Sequence, residues 1–107
     1  MIDNKLHIPQ ILIDTSHMDH GFIEYRALKL NEEAGEVAEV VLTYLGRKRG
    51  KGNLDTKIDH IVEECVDTII MAMDILSCLG ETNEDKLTKV FNKKLDKWKR
   101  KHLCKVT

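Results

Sequence analysis

Proline is nearly absent from this chain. Pro9 is the only one, and it stands near the start. Beyond it no ring locks φ or removes a backbone donor, so long helices can run uninterrupted. Cysteine is also sparse. Cys65, Cys78 and Cys104 are an odd number without close pairing, which argues against a disulfide framework and for a reducing cytoplasm. No Cys-x-x-Cys or His-x-x-x-His pair supports a zinc site. No run approaches the roughly 18 apolar residues that a membrane span needs. Residues 1–10 lack the apolar stretch behind a basic start that marks a secretion signal. No Ser/His/Asp arrangement is evident, and no segment alternates as a strand between turns. These absences leave a protein expected in the cytoplasm, without a membrane partner.

What remains is a chain of 107 residues, 42% apolar and 33% charged, which fits a single domain spanning 1–107. Its formal net charge of −1 argues against a nucleic-acid partner on bulk electrostatics. The charge is unevenly placed. Acid concentrates in Glu32–Glu39 and Glu63–Asp74, base in Arg47–Lys51 and Lys93–Lys105. That division suits a site that holds a cation on acid and a polyanion on base.

Glycines punctuate the rest into three long helical patterns. The first is predicted over Phe22–Leu45, with Asp19 as N-cap and Gly46 as its stop. The second runs over Asp55–Leu79, capped by Asp55 or Thr56 and stopped by Gly80. The third runs over Asn83–Lys101, with Thr82 as cap and Asp85 in a weak capping box. Leu87, Phe91, Leu95 and Trp98 form its apolar stripe, where Trp98 reads as a core anchor. Residues 1–20 are an N-terminal arm or a short helix starting near Pro9. The expected fold class is all-α, a helical bundle. The second helix is apolar on nearly every side from Ile69 to Leu79, more than one chain can cover, so the bundle is expected to be completed by homo-oligomerisation.

Four carboxylates stand where apolar residues are expected. Glu32 and Glu39 belong to a solvated face. Glu33 instead falls inside the stripe made with Val37, Val40 and Tyr44, and Glu36 lies at its edge. On the second helix Ile58, Ile61, Val62, Cys65, Ile69, Ala72, Met73 and Leu76 make a broad apolar face, while Glu64 and Asp67 share the opposite side with Met71, Ile75 and Cys78. That helix should be buried on more than one side, so these acids point into protein. Acids three residues apart are neighbours on a helix and repel unless a cation sits between them. Two such pairs facing each other give an all-oxygen site suited to Mg²⁺, with Mn²⁺ as substitute, in place of zinc or copper. A di-iron bundle would place a His three residues after a Glu, and neither Glu36 nor Glu64 has one.

The spacing Glu32-Glu33-Ala34-Gly35-Glu36, followed after about 27 residues by Glu64-Cys65-Val66-Asp67, resembles the signature of the MazG-like all-α nucleoside triphosphate pyrophosphohydrolases. The context Glu33-Ala34-Gly35-Glu36-Val37 and the double acid Glu63-Glu64 are similar too. The likeness covers about residues 20–100. It implies hydrolysis of nucleoside triphosphates to monophosphate and pyrophosphate. It also implies metal ligation by Glu33, Glu36, Glu64 and Asp67, and a dimer or a dimer of dimers. Glu32 matches the first acid of the motif, which implies a part for it, alongside Glu33, in the catalytic machinery, although the wheel turns it outward. Asn92-Lys93-Lys94-Leu95-Asp96-Lys97 resembles the family's phosphate-holding helix, which implies substrate contacts from Asn92, Lys94 and Lys97. The alternative for those residues is a solvated basic face.

Gly46-Arg47-Lys48-Arg49-Gly50-Lys51-Gly52 looks like a P-loop but is one residue short between glycines. It also lacks Ser or Thr after Lys51 and follows a helix, so it reads as a basic connector. Two rivals remain. One is a non-catalytic dimeric helical module for interaction or regulation, favoured by the apolar second helix. The other is a nucleic-acid binder using Lys93–Lys105, which steeply salt-dependent binding would reveal.

Overall fold

Two glycines set where the long helices stop. Gly46 and Gly80 have φ of 77° and 76°, the left-handed conformation that glycine adopts without strain. At Gly80 the turn closes with Gly80 N–H donating to the Ser77 carbonyl at 3.0 Å and Glu81 N–H to the Leu76 carbonyl at 2.9 Å, the paired bonds of a Schellman stop. The computed structural model describes residues 4–16, 23–46 and 54–103. Four helices lie within them, and no strand: α1 (Gln10–Thr15), α2 (Ile23–Tyr44), α3 (Leu54–Cys78) and α4 (Glu84–Leu103). None is long and apolar enough to cross a membrane. The proposed Asp19 cap, Phe22, the basic connector, Cys104 and the side chains of Asp55 and Thr56 lie outside the described residues.

Within residues 4–16 both readings of the N-terminus hold in part. Residues 4–9 form no helix, and α1 begins directly after Pro9, whose φ of −55° leads into it. The cap of α4 differs from expectation. Asn83, not Thr82, caps it, its Oδ1 accepting from Lys86 N–H at 2.9 Å. Asn83 is the better cap because its carbonyl reaches the third backbone donor of the helix, and the helix starts one residue later than Thr82 would allow.

α2 and α3 pack against each other as an antiparallel pair. Arg26 meets Asp74 and Glu33 acts on Asp67, while Glu36 stands beside Glu64, so partners descend one helix as they climb the other. The less exposed positions of α2 are Ile23, Arg26, Leu30, Glu33, Val37, Val40 and Tyr44, alternating three and four residues apart. On α3 Ile61, Glu64, Thr68, Met71 and Ile75 do the same. This is the 3.5-residue seam of two helices lying nearly parallel in axis. The broad face expected to be buried on α3 is instead largely outside: Val62 is 55% and Ile69 53% exposed. The side that carries Glu64 is the one that meets α2.

α1 docks on the far end of α3, where Ser77 is buried and donates its hydroxyl to the Leu12 carbonyl at 3.1 Å. Residues 4–8 then run along α4. Asn4 and Asn92 exchange two hydrogen bonds, at 3.3 and 2.7 Å, and Leu6 N–H donates to Thr88 Oγ1 at 3.2 Å. His7 stands 3.8 Å from Glu84. Ile8 and Leu87 are buried at this junction. α4 makes no close backbone approach to α1, α2 or α3. Its stripe is therefore covered only at the start: Leu87 is buried, whereas Trp98 is 60% exposed and stacks on His102 of its own helix, not in a core. The radius of gyration is 16.8 Å, against about 13 Å for a closed domain of this length.

Candidate metal centre

The middle of the α2/α3 seam carries acid where a coiled pair ordinarily carries leucine or valine. Glu33 falls between Leu30 and Val37, and Glu64 between Ile61 and Thr68. Seam geometry forces both side chains towards the facing helix. Asp67, one turn after Glu64, joins them from the exposed edge. One carboxylate oxygen from each of Glu33, Glu64 and Asp67 lies within 4.8 Å of the others. Glu36 stands beside Glu64 as well. With Glu39, Val40, His60 and Glu64 it lines a groove of about 260 Å³.

Acid outweighs base in the cluster. Glu33 Oε2 and Glu64 Oε2 are both buried and find no hydrogen-bond donor. Desolvation pushes the Glu33 carboxyl above its ordinary value, and the charges of Glu36 and Asp67 push the same way, with Lys29 opposing. Glu64 is raised first by its contact with Glu36, then by desolvation and by the charges of Glu36, Asp67 and Glu33. His60 adds a second cationic candidate, its Nε2 3.2 Å from Glu64 Oε1.

Such a donor set fits a hard divalent cation. It is all oxygen, and two of its oxygens lack any other partner. Oxygens from Glu33, Glu64 and Asp67 within 4.8 Å of one another are close enough for one ion to be reached by all three side chains.

The remaining predicted residues lie elsewhere. Glu32 is exposed and 3.6 Å from Lys29, outside the three-oxygen cluster. Asn92 spends its amide on the N-terminal segment and on its own helix, donating to the Asn4 and Thr88 carbonyls. Lys94 and Lys97 are exposed on α4, which does not approach the acidic seam within the chain. Sequence reasoning passed over Arg26, 2% exposed and bound to Asp74 at 2.8 Å on the same seam. Its signal was present: it stands seven residues before Glu33, one heptad up.

No family model matches the chain, and neither a curated protein nor a solved structure matches it significantly.

Proposed function

We propose that this chain is a divalent-cation-dependent nucleoside triphosphate pyrophosphohydrolase, acting as a homo-oligomer and resembling the MazG-like enzymes. The observation that carries this reading is the pair of buried, donorless oxygens on Glu33 and Glu64, with Asp67 beside them on the seam. Burying like charges costs stability unless they are neutralised, which supports reading the cluster as a cation site. Glu33, Glu64 and Asp67 would hold Mg²⁺, with Glu36 adjoining. When bound there, the cation supplies charge neutralisation for phosphate oxygens and a lowered pKa for water.

The chain's own groups divide the remaining work. The antiparallel seam fixes the carboxylates on rigid helices, which sets the position of the triphosphate relative to the attacking water. In this reading Glu33, whose carboxyl is raised first by desolvation, would accept a proton from that water, and Glu32 would orient it from the rim. Lys94 and Lys97 offer point charges for phosphate oxygens. Attack at the α-phosphorus leaves monophosphate and pyrophosphate.

The exposed face of α3, with Val62, Val66 and Ile69, favours a second reading, a non-catalytic dimeric helical module. Phosphorus NMR of nucleoside triphosphates incubated with protein and Mg²⁺ separates the two. The enzyme reading expects pyrophosphate and monophosphate. Orthophosphate and diphosphate would place attack at the γ-phosphorus, and unchanged triphosphates across all common bases would favour the module.

A further inference from the structure

α4 is attached to the rest of the described chain at two places, and neither is a helix–helix interface. The first is the connector Glu81–Asn83. Its ends are fixed by the helices it joins: Glu81 N–H donates to the Leu76 carbonyl at 2.9 Å, and Asn83 Oδ1 accepts from Lys86 N–H at 2.9 Å. Lys86 and Glu81 also pair across it at 2.7 Å, but both side chains are exposed, and such pairs hold little. The connector therefore says where α4 begins and does little to say where it points.

The second attachment is the arm of residues 4–8. The backbone groups of α4 are used within the helix, so the arm bonds to its side chains. Asn92 serves both backbone groups of Asn4, donating to the carbonyl at 2.7 Å and accepting from the N–H at 3.3 Å. Thr88 Oγ1 accepts from Leu6 N–H at 3.2 Å, and Glu84 stands 3.8 Å from His7. Glu84, Thr88 and Asn92 are four residues apart and share one face of the helix. The arm meets them in reverse order, and the lengths agree. At a strand-like rise Asn4 to His7 spans about 10 Å, and Glu84 to Asn92 rises about 12 Å, a difference that side chains bridge. Burial follows the arm: Leu87 is buried, Thr88, Phe91 and Asn92 are half-buried, and every residue from Lys93 to Leu103 is exposed. At its other end the arm passes through Pro9 into α1, whose Leu12 carbonyl accepts from the buried Ser77 hydroxyl of α3 at 3.1 Å.

We propose that residues 4–8 are a strap that sets the direction of α4, with Glu81–Asn83 as its pivot. Docked, the strap closes a triangle whose sides are α3, α4 and the arm with α1. Released, α4 is held only at its first turn and swings about the pivot, carrying its eight basic side chains with it. The strap is releasable because it holds by side-chain hydrogen bonds and one small buried contact, Ile8 with Leu87, and not by a packed helix face. The inference goes beyond the enzymatic reading and needs none of its chemistry.

Distances between two spin labels test it. In a chain carrying Cys78→Ser, Cys104→Ser and Lys101→Cys, one label sits on Cys65 of α3 and the other at position 101 of α4, both exposed. Dilution with unlabelled protein confines the signal to labels within one chain. This chain should give a single narrow distance peak, and a broad distribution in it would overturn the proposal. Removing residues 2–8 should replace the peak by a broad distribution. Thr88→Val with Asn92→Ala, which takes away the arm's hydrogen-bond partners and leaves the arm in place, should do the same with helical circular dichroism retained. Should the shortened chain fail to fold, the double substitution carries the test alone. Lys93→Ala, on the same helix but outside the face the arm meets, should keep the narrow peak. Amide exchange at Leu6 should be slow in the parent and fast in the double variant. A narrow peak unchanged in either strap variant would show that something else holds α4 and overturn the proposal. Because none of these readouts involves nucleotide or metal, failure of the enzymatic reading leaves them undisturbed.

Discussion

The α2/α3 seam buries charge in two places, two turns apart, and treats them oppositely. At one, Arg26 and Asp74 face each other at 2.8 Å, and the guanidinium is 2% exposed. At the other, Glu33 and Glu64 face each other with Glu36 and Asp67 close by, and two buried oxygens have no donor. The two places share the same pair of helices, and the sign of the charge they gather differs. The first place is internally neutral and serves to hold the two helices in register. The second is destabilising as it stands, and is the observation from which the proposed divalent cation is argued.

Replacing the acids should give the largest effect. Glu33→Gln, Glu64→Gln, Glu36→Gln and Asp67→Asn are each expected to lower pyrophosphate release by about a hundredfold or more, the scale of removing a preorganised charge from a phosphoryl or acyl transfer site. Circular dichroism should remain helical. Full activity in Glu64→Gln would place the site elsewhere.

Next in size, Asp74→Asn should destabilise the fold by about 3 kcal/mol, since it removes the carboxylate that meets the buried guanidinium at 2.8 Å. Urea denaturation measures it. A stability equal to the parent's would mean the first charged place does not hold the seam.

The same comparison predicts opposite pH behaviour with and without metal. The carboxyls of Glu33 and Glu64 sit above their ordinary value of 4.5 in the folded chain. The fold therefore binds more protons than the unfolded chain in the window just above 4.5. Their destabilising contribution is full at pH above the raised values and fades as pH falls through them towards 4.5. In EDTA, Glu33→Gln should accordingly melt higher than the parent at neutral pH, and the gap should close on acidification. With Mg²⁺ present the trend reverses for the parent, because protons displace the cation and its stabilisation shrinks as pH falls. A gap independent of pH would separate the raised carboxyls from stability. Smallest of all, Glu63→Gln removes the same charge one position from Glu64 but on the exposed side. It should leave both melting and activity near the parent's, within about 0.5 kcal/mol.

Some of this was legible in the sequence because a local rule decides it. Gly46 and Gly80 mark helix ends since a left-handed residue is needed there, and the acid spacing was readable because three residues make a turn. The buried face of α3 was not. Hydrophobic periodicity ranks Ile58, Val62 and Ile69 above Glu64 and Thr68, yet Glu64 and Thr68 join Ile61, Met71 and Ile75 on the seam while Ile58, Val62 and Ile69 stay outside. Periodicity reports which side chains avoid water, without saying whether their own chain or another covers them. Arg26 was missed for a related reason: a buried cation looks like a surface residue until its partner, 48 positions away, is seen. The fate of Asn92 depends on residues 4–8 crossing α4, a long-range contact with no local signature.

The most direct test of the acidic seam is its thermal response to cation. Melting of the parent should rise when EDTA is replaced by millimolar Mg²⁺, by the equivalent of about 2.7 kcal/mol at a hundredfold excess over the dissociation constant. The rise should vanish in Glu64→Gln and persist in Glu63→Gln. Equal melting temperatures of the parent in EDTA, Mg²⁺ and Mn²⁺ would contradict the claim that these carboxylates are gathered to hold a divalent ion.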